Sequence, residues 1–238
     1  MQLKWRLIYK FAADLVYTNR CPCCNEFIKW NELVCEKCRK ELIPDESGRC
    51  PKCHKLIDSC ICSLGTEFDK VFFVTDYQGA AKQGIYSLKD SCGLNFAEYC
   101  GKELGRKILE EKYFHADYII PVPMRKKKKY QRGYNQAEKI AEAIRDVTGV
   151  PLNKNIVYKN KKVKDVTQHS LGAKDRLENA EKIYKIKNVD LREKNIIICD
   201  DVMTTGSTIN TISRLLKENC AEKIYAAVAA VTNKRKEE

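Results

Sequence analysis

The stretch that decides the fold is IIICDDVMTTGSTI, residues 196–209. Four apolar residues lead into Asp200 and Asp201, and four hydroxyl residues then surround Gly206. The following segment, 207–219, carries apolar side chains at helical spacing. A buried strand that turns directly into an amphipathic helix is typical of an α/β protein with a parallel sheet.

The same alternation of strand and helix patterns runs from residue 68 to near the C-terminus and predicts βαβ units. Segment 78–84 is predicted to be a turn, and the long polar segment 160–180 to be a functional lid. Asn135 is predicted to cap the helix that begins at Gln136. We expect strands at 71–77, 117–124, 195–201 and 223–232, and helices at 94–113, 136–148 and 207–219.

The turn after Asp201 falls where open α/β sheets bind ligands, beyond the carboxyl ends of the strands. Its hydroxyls, its backbone N–H groups and the helix N-terminus predict a phosphate cradle made by Thr204, Thr205, Gly206, Ser207 and Thr208. Asp200 and Asp201 would repel phosphate, but they suit vicinal hydroxyls or a bound Mg²⁺. A phosphate beside a vicinal diol indicates a ribose 5-phosphate. A plain turn with an N-cap explains the acidic pair alone, but not the whole pattern.

Nine of the thirteen cysteines lie between residues 21 and 62. Their paired spacing favours metal over disulfides, and predicts one or two structural zinc ions with no open position for catalysis. The second group contains a pair with one intervening residue, so a distorted site, a site that uses His54 and an empty site stay open. Cys23 is an extra thiol that could compete. The predicted ligands are Cys21, Cys24, Cys35 and Cys38 in the first group and Cys50, Cys53, Cys60 and Cys62 in the second.

The net charge of +12 fits either nucleic acid or a polyphosphate ligand. No apolar run approaches the ~20 residues that span a bilayer, and residues 1–19 lack the apolar core of a signal peptide. We therefore expect a cytoplasmic protein without a transmembrane segment. Apolar residues at near-helical spacing predict an amphipathic helix in 1–19, packed on the protein or, alternatively, lying on a membrane surface.

The segment RKKKKYQRGY, residues 125–134, carries six positive charges and two tyrosines. A solvated loop is the plain interpretation of such a charge run. Cations also follow a phosphate backbone while aromatic rings stack on bases, which suits single-stranded nucleic acid. Contacts to pyrophosphate are a third alternative. The residues concerned are Arg125, Lys126, Lys127, Lys128, Lys129, Arg132 and Tyr134.

The stretch IIICDDVMTTGST resembles the phosphoribosyl-pyrophosphate signature of type I phosphoribosyltransferases. Segment 121–141, with its RGYNQA core, and TQHSLGAKDRLENA at 167–180 are similar to the ComF family, a branch of that fold associated with DNA uptake in natural competence. The cysteine pairs fit the double zinc ribbon of that family. The resemblance divides the chain into an N-terminal helix at 1–19, a double zinc ribbon at 20–65 and a phosphoribosyltransferase-like domain at 66–238.

The resemblance also implies roles for individual positions. Asp200 and Asp201 would hold the ribose hydroxyls of phosphoribosyl pyrophosphate with its Mg²⁺, and the residues from Thr204 to Thr208 would hold the 5-phosphate. Lys89, in YSLKDSCG, matches a segment that contacts pyrophosphate, although its spacing to the next glycine is longer by one residue. An ordinary surface lysine is the alternative there. Arg176 would close over the pyrophosphate.

Three functions follow. The first is a protein that binds phosphoribosyl pyrophosphate and handles single-stranded DNA during DNA uptake, with a competence helicase or other DNA-uptake proteins as partners. The second is an active phosphoribosyltransferase that uses a nitrogen nucleophile, a nucleobase or an amine, in nucleotide metabolism. The third is a regulator that senses the ligand and contacts nucleic acid through the ribbon. The resemblance favours the first, and the sequence identifies no catalytic residue.

Overall fold

The computed structural model describes residues 18–89, 93–160, 183–187 and 189–233. The predicted N-terminal helix and the predicted lid with Arg176 fall essentially outside these ranges. The described strands are β1 Lys70–Asp76, β2 Tyr118–Pro121, β3 Val157–Lys159, β4 Tyr184–Ile186, β5 Asn195–Met203 and β6 Lys223–Val231. The described α-helices are α1 Glu36–Glu41, α2 Gly79–Ser87, α3 Leu94–Glu110, α4 Lys126–Arg132, α5 Gln136–Thr148 and α6 Ser207–Glu218.

The main sheet has four strands in the order β1–β6–β5–β2, and every pairing in it is parallel. Strands β3 and β4 form a separate antiparallel pair. The predicted α/β class with a mostly parallel sheet is therefore confirmed. Among the helices in the described ranges, none combines the length and apolarity needed to cross a bilayer.

Two hydrophobic cores lie on opposite faces of this sheet. Side chains alternate across a strand, so Phe72 of β1 packs in the core that includes α3, while Val71 and Phe73 pack in the core that includes α6. Strand β5 alternates in the same way, with Ile197 on the α3 face and Ile198 on the α6 face. The carboxyl edge of the sheet, where a ligand is predicted to bind, is thus supported by packed side chains from both sides.

Helices α3 and α5 approach each other closely because glycines line the contact. A Cβ at Gly101 would lie only 2.6 Å from the carbonyl oxygen of Ile140, and one at Gly105 only 2.7 Å from Cβ of Val147. Both glycines lie on one face of α3, one helical turn apart. This packing fixes α5, whose first turn reaches the carboxyl edge of the sheet.

Some of the predicted elements are wrong. Segment 78–84, predicted as a turn, forms most of helix α2, because Ala80, Ala81 and Ile85 are buried and Gly84 is packed against the ring of Phe96. Gly84 therefore serves close packing rather than a turn, whereas Gly79 begins the helix with a φ of 44°. The charge run is not a loop, since residues 126–132 form helix α4. Strands β3 and β4 were not predicted.

The cysteine-rich segment contains one structural unit twice. Residues 20–27 and 49–56 each close with an antiparallel bridge between their end residues. In the first unit the N–H of Asn25 donates to the carbonyl of Cys21 at 2.8 Å. In the second, the N–H of His54 donates to the carbonyl of Cys50 at 2.9 Å. Asn25 and His54 have φ values of 64° and 55°, a backbone region that tolerates Asn and His. His54 therefore serves the turn.

The ribbon, residues 20–65, wraps around the edge strand β1. Cys21 and Cys38 pack in the core on the α3 face, whereas Cys50 and Cys53 pack in the core on the α6 face. The N–H of Val71 donates to the carbonyl of Lys52 at 2.8 Å. An exposed edge strand invites pairing with other chains, and here the ribbon covers it.

Arg49 anchors the ribbon to the end of β1. Its guanidinium nitrogens donate to both carboxylate oxygens of Asp76, at 3.2 and 2.6 Å. The Arg49 side chain is only 3% exposed, and its Cζ lies 4.9 Å from the centre of the Phe73 ring. This bidentate, buried ion pair fixes the second half of the ribbon against the domain.

Candidate functional site

Strand β5 extends beyond its neighbour β2. The pairing of β2 with β5 ends at Pro121 and Cys199, where the N–H of Val122 donates to the Cys199 carbonyl at 2.8 Å. Strand β5 continues along β6 as far as Met203, and so runs further than the predicted 195–201. Asp200 and Asp201 consequently lie past the end of β2, where they border a cavity of about 180 Å³.

The two acids share this space in a way that disfavours two free negative charges. The N–H of Asp201 donates to Oδ1 of Asp200 at 2.9 Å, and the N–H of Val202 donates to Oδ1 of Asp201 at 2.8 Å. Burial, and secondarily the charge of Asp201, raise the pKa of Asp200 well above its usual range. A bound cation or sugar hydroxyls would stabilise the ionised pair.

The predicted phosphate cradle, Thr204–Thr208, is called the phosphate loop below; it follows β5 and includes the first two residues of α6. Gly206 has φ 74° and precedes the first turn of α6, which within the described residues has no side-chain cap. The N–H of Ser207 donates to Oγ1 of Thr205 at 3.4 Å, and the next N–H groups of that turn are available to an anion. The hydroxyls of Thr205 and Ser207 lie 2.8 Å apart. Thr208 borders the cavity of the two acids, whereas Thr205, Gly206 and Ser207 border a smaller cavity of about 90 Å³ beside the ribbon, and Thr204 is exposed.

The basic run is divided between two surfaces by its helical structure. Arg125, Lys128 and Arg132 all border the cavity of the two acids, as expected for positions three to four residues apart on a helix. Lys126 and Lys127 are exposed and are not among the residues that border it. The run therefore presents cations to the cavity on one side and to solvent on the other.

The remaining residues of the run have other environments. Lys129 forms an ion pair with Glu138, with an Nζ–Oε2 distance of 2.8 Å. Tyr130 is 92% exposed. Tyr134 donates its hydroxyl to the carbonyl of Leu88 at 2.9 Å. Of the predicted nucleic-acid residues, Tyr134 thus contacts the loop after α2 rather than free solvent.

The start of α5 supplies a site residue that the sequence did not reveal. Asn135 accepts from the N–H of Ala137 at 3.2 Å, which confirms the predicted N-cap, and its Nδ2 donates to the carbonyl of Val122 at 2.9 Å. Gln136 borders the cavity and is only 2% exposed, yet its Nε2 has no hydrogen-bond partner among the described residues. A buried donor without an acceptor is unfavourable, so Gln136 is suited to a ligand.

Lys159 and Tyr184, from the small antiparallel pair, also border the cavity and were not predicted. Nζ of Lys159 lies 5.3 Å from the centre of the Tyr184 ring, and its charge partly opposes the rise in the pKa of Asp200 that burial causes. The lining contains four cations against two carboxylates, so it favours an anionic ligand. The cations are Arg125, Lys128, Arg132 and Lys159.

Lys89 was predicted, together with Arg176, to contact pyrophosphate. It is half-buried, and its Nζ lies 4.4 Å from the centre of the Tyr86 ring. It follows Leu88, the residue that Tyr134 contacts, but it is not among the residues that border the cavity. A larger cavity, of about 470 Å³, lies at the ends of β1 and β6. Its carboxylate, Asp76, is already bound by Arg49 and Asn233.

Both predicted four-cysteine groups come together. In each group the four sulfur atoms lie within 4.8 Å of one another. Sulfur–sulfur distances of 3.6 Å between Cys24 and Cys35 and 3.7 Å between Cys50 and Cys62 match the ~3.8 Å edge of a tetrahedron with 2.3 Å zinc–sulfur bonds. Either group would hold zinc as a structural ion. Cys23 is buried in the α3-face core, and His54 is a turn residue, so neither belongs to a group.

Backbone hydrogen bonds favour ionisation of one thiol in each group. Burial alone would raise the pKa of Cys21, but backbone hydrogen bonds, first that from Cys35, lower it to about 7. Burial would also raise the pKa of Cys50, but backbone hydrogen bonds, first that from Cys53, lower it to about 7. Each group thus contains a cysteine that ionises easily, as metal binding requires.

Residues 120–238, half of the chain, match the model of the phosphoribosyl transferase domain family. Together with the parallel sheet, this match establishes the class: the chain belongs to the phosphoribosyl transferase domain family, with the type I fold.

Two relatives make the assignment more specific. Competence protein F of Haemophilus influenzae is 39% identical over 110 residues, which are 44% of this chain and 46% of that protein. Competence protein ComFC of Bacillus subtilis is 27% identical over 205 residues, 80% of each chain. The chain thus spans under half of the first relative's length. The predicted ComF resemblance is confirmed.

Among solved structures, the chain is similar to glutamine phosphoribosylpyrophosphate amidotransferase from B. subtilis. The two are 19% identical with a TM-score of 0.42, and the similarity covers 62% of this chain and 30% of that one.

Proposed function

We propose that the cavity past the end of β2 binds phosphoribosyl pyrophosphate together with Mg²⁺. The observation that carries this proposal is the presence of two carboxylates and several cations around one cavity, beside the phosphate loop. Asp200 and Asp201 would accept hydrogen bonds from the ribose hydroxyls and hold the ion. Arg125, Lys128 and Arg132 would neutralise the pyrophosphate. The family match supports this assignment.

The test is calorimetric titration of the full chain with phosphoribosyl pyrophosphate and Mg²⁺. We expect binding by the wild type and none by the double variant Asp200→Asn, Asp201→Asn. Lys128→Ala should weaken binding about 10-fold or more, because a charge-assisted hydrogen bond contributes about 1.5–3 kcal/mol. Lys127→Ala, a neighbouring lysine that does not border the cavity, is the matched control and should stay within about twofold. Equal losses in the two lysine variants would contradict the assignment.

We expect Gln136 to donate a hydrogen bond to an acceptor oxygen of the ligand, because its buried Nε2 has no partner within the described residues. Gln136→Leu keeps the apolar volume and removes the donor. It should weaken ligand binding about 3- to 10-fold, in line with about 1 kcal/mol for a neutral hydrogen bond. The thermal stability of the ligand-free variant should not fall, since an unpaired donor has been removed. Unchanged affinity would exclude Gln136 from the site.

We further propose that the protein handles single-stranded DNA on the outward surface of α4, in DNA uptake in the cytoplasm. Exposed Lys126 and Lys127 beside the exposed ring of Tyr130 support this second function, because cations and rings serve phosphates and bases. The competence proteins among its relatives support the role in DNA uptake, with a competence helicase or other DNA-uptake proteins as partners. Two four-cysteine groups arranged as metal ligands rather than as disulfides support the cytoplasmic compartment.

The DNA proposal is tested by binding of a single-stranded oligonucleotide at several salt concentrations. Each phosphate contact contributes about −0.7 to the slope of log affinity against log salt for single strands. Replacing Lys126 and Lys127 together by Ala should therefore reduce that slope by about 1.4. Lys129→Ala removes a lysine that is paired with Glu138, and serves as the control with little expected effect. Wild-type affinity in the double variant would reject the α4 surface.

A catalytic role is the alternative within the same site. The cations that would neutralise bound pyrophosphate would also stabilise it as a leaving group, so positioning and electrostatics would provide the catalysis. Incubation with phosphoribosyl pyrophosphate, Mg²⁺ and each nucleobase or ammonium, with pyrophosphate release as the readout, separates the two roles. Release with one acceptor only would establish the transferase, and background rates with all would leave binding as the function.

A further inference from the structure

The segment that holds the second cysteine group contacts the phosphate loop through Ile61. Ile61 lies between the predicted ligands Cys60 and Cys62, and its Cδ1 fills the space that a Cβ on Gly206 would need. Residues on both sides of this contact border the same 90 Å³ cavity: Ile61, Leu64, Gly65 and Thr66 from the ribbon, with Thr205, Gly206, Ser207 and Asn210 from the loop and α6.

Hydrogen bonds strengthen the attachment a few residues further along. The N–H of Glu67 donates to Oδ1 of Asn210 at 2.7 Å, and Nδ2 of Asn210 donates to the carbonyl of Gly65 at 3.3 Å. The N–H of Asn210 in turn donates to the carbonyl of Gly206 at 2.8 Å. The chain that leaves the second cysteine group is therefore tied to the helix turn that begins at the phosphate loop.

We propose that Ile61 is a positioning residue for the phosphate loop, and that metal at the second cysteine group controls the affinity of the loop for phosphate. The inference rests on the proposed binding of phosphoribosyl pyrophosphate. Metal bonds to Cys60 and Cys62 would fix the backbone on both sides of Ile61. Ile61 would then hold Gly206 at its positive φ. A loop that is already ordered loses less conformational entropy when it binds an anion.

The first cysteine group provides the contrast that makes the inference testable. Cys21 and Cys38 are buried in the core on the α3 face. No residue of the segment 21–38 is among those that border the cavity beside the loop, whereas Ile61 of the second group's segment is. Cys35 and Cys62 are both half-buried members of their groups. Replacing either by Ser should remove one metal site at similar burial, but only Cys62 is next to Ile61.

The experiment measures zinc content and phosphoribosyl pyrophosphate affinity for the full chain and four variants. Ile61→Ala should retain the wild-type zinc content and bind about 10-fold more weakly, and Ile61→Val, which lacks only the Cδ1 that contacts Gly206, should retain zinc and weaken binding by an intermediate factor. Cys62→Ser and Cys35→Ser should each lose one zinc ion, and only Cys62→Ser should lose affinity. Equal affinity loss in both serine variants, or wild-type affinity in Ile61→Ala, would overturn the proposal.

Amide hydrogen exchange of residues 204–210 adds a readout that does not need the ligand. Exchange there should accelerate in Ile61→Ala and in Cys62→Ser, and remain unchanged in Cys35→Ser. If the wild type bound no phosphoribosyl pyrophosphate, the proposed function would fail while exchange still tested the contact. Unchanged exchange in Ile61→Ala would reject Ile61 as a positioning residue, even if Cys62→Ser did not fold.

Discussion

The two cysteine groups are built alike and differ in their neighbours. Both start from the same bridged knuckle with a left-handed turn residue, Asn25 or His54. The first group packs on the sheet face that contains α3, whereas the second packs on the face that contains α6 and reaches Gly206. A repeated metal-binding unit can therefore acquire different roles simply because its copies lie on opposite faces of one sheet.

Complete removal of metal should have the largest effect and tests what the groups share. Zinc at a four-thiolate site can contribute on the order of 10 kcal/mol to folding, and the ribbon has little other core. A strong chelator should abolish amide protection in residues 18–65 and reduce it in β1, which the ribbon covers. Readdition of zinc should restore both. Full protection in metal-free protein would show that the ribbon folds through its apolar contacts alone.

The second largest effect should be the difference in stability lost when an ion pair is broken in either half of the ribbon. Arg49 and Asp76 form a bidentate pair in which the arginine side chain is 3% exposed, so Arg49→Met should cost about 3–5 kcal/mol by leaving Asp76 uncompensated. Lys40 and Glu36, in the first half, are 74% and 80% exposed. Lys40→Met should cost under about 1 kcal/mol. Denaturant unfolding of both variants measures the difference, and similar costs would remove this asymmetry.

The smallest predicted effect concerns the acids on the ligand side. In the ligand-free chain the folded state keeps a proton on Asp200 to higher pH than the unfolded state, since burial raises its pKa from the usual 3.8. Stability relative to Asp200→Asn should therefore fall as pH rises through the raised pKa. We expect the variant and the wild type to be closest in stability at pH about 4, and the variant to be the more stable of the two at pH about 8.

Asp190 provides a control of opposite sign. A side-chain hydrogen bond from Arg192 lowers the pKa of Asp190 to about 2, so its contribution is present above the unfolded pKa and lost in acid. Asp190→Asn should therefore lower stability at neutral pH, whereas Asp200→Asn raises it. Melting temperatures of both variants between pH 4 and 8, without Mg²⁺, test the pair. The same sign in both would contradict the assigned cause.

The features that the sequence predicted well are local. Apolar periodicity identified the strand and helix around Asp200 and Asp201, and the paired spacing of cysteines identified both thiolate groups. Several of the misses depend on distant contacts. In the sequence alone Gly84 indicates a turn, and only the structure shows that it packs against the ring of Phe96. Gln136 and Lys159 become site residues only because separate elements meet at the end of β5, and no local pattern marks Ile61 as a neighbour of Gly206.

The contacts between the ribbon and β1 determine what happens when the chain is truncated between them. A chain that began at residue 66 would lose the Lys52 carbonyl that binds Val71 and the guanidinium that binds Asp76. The seven residues of β1 would then form an open edge, ready to pair with a second copy. The ribbon and the domain that follows it are therefore not interchangeable modules: a gene fusion or a trimmed expression product that separated them would leave β1 open to self-association.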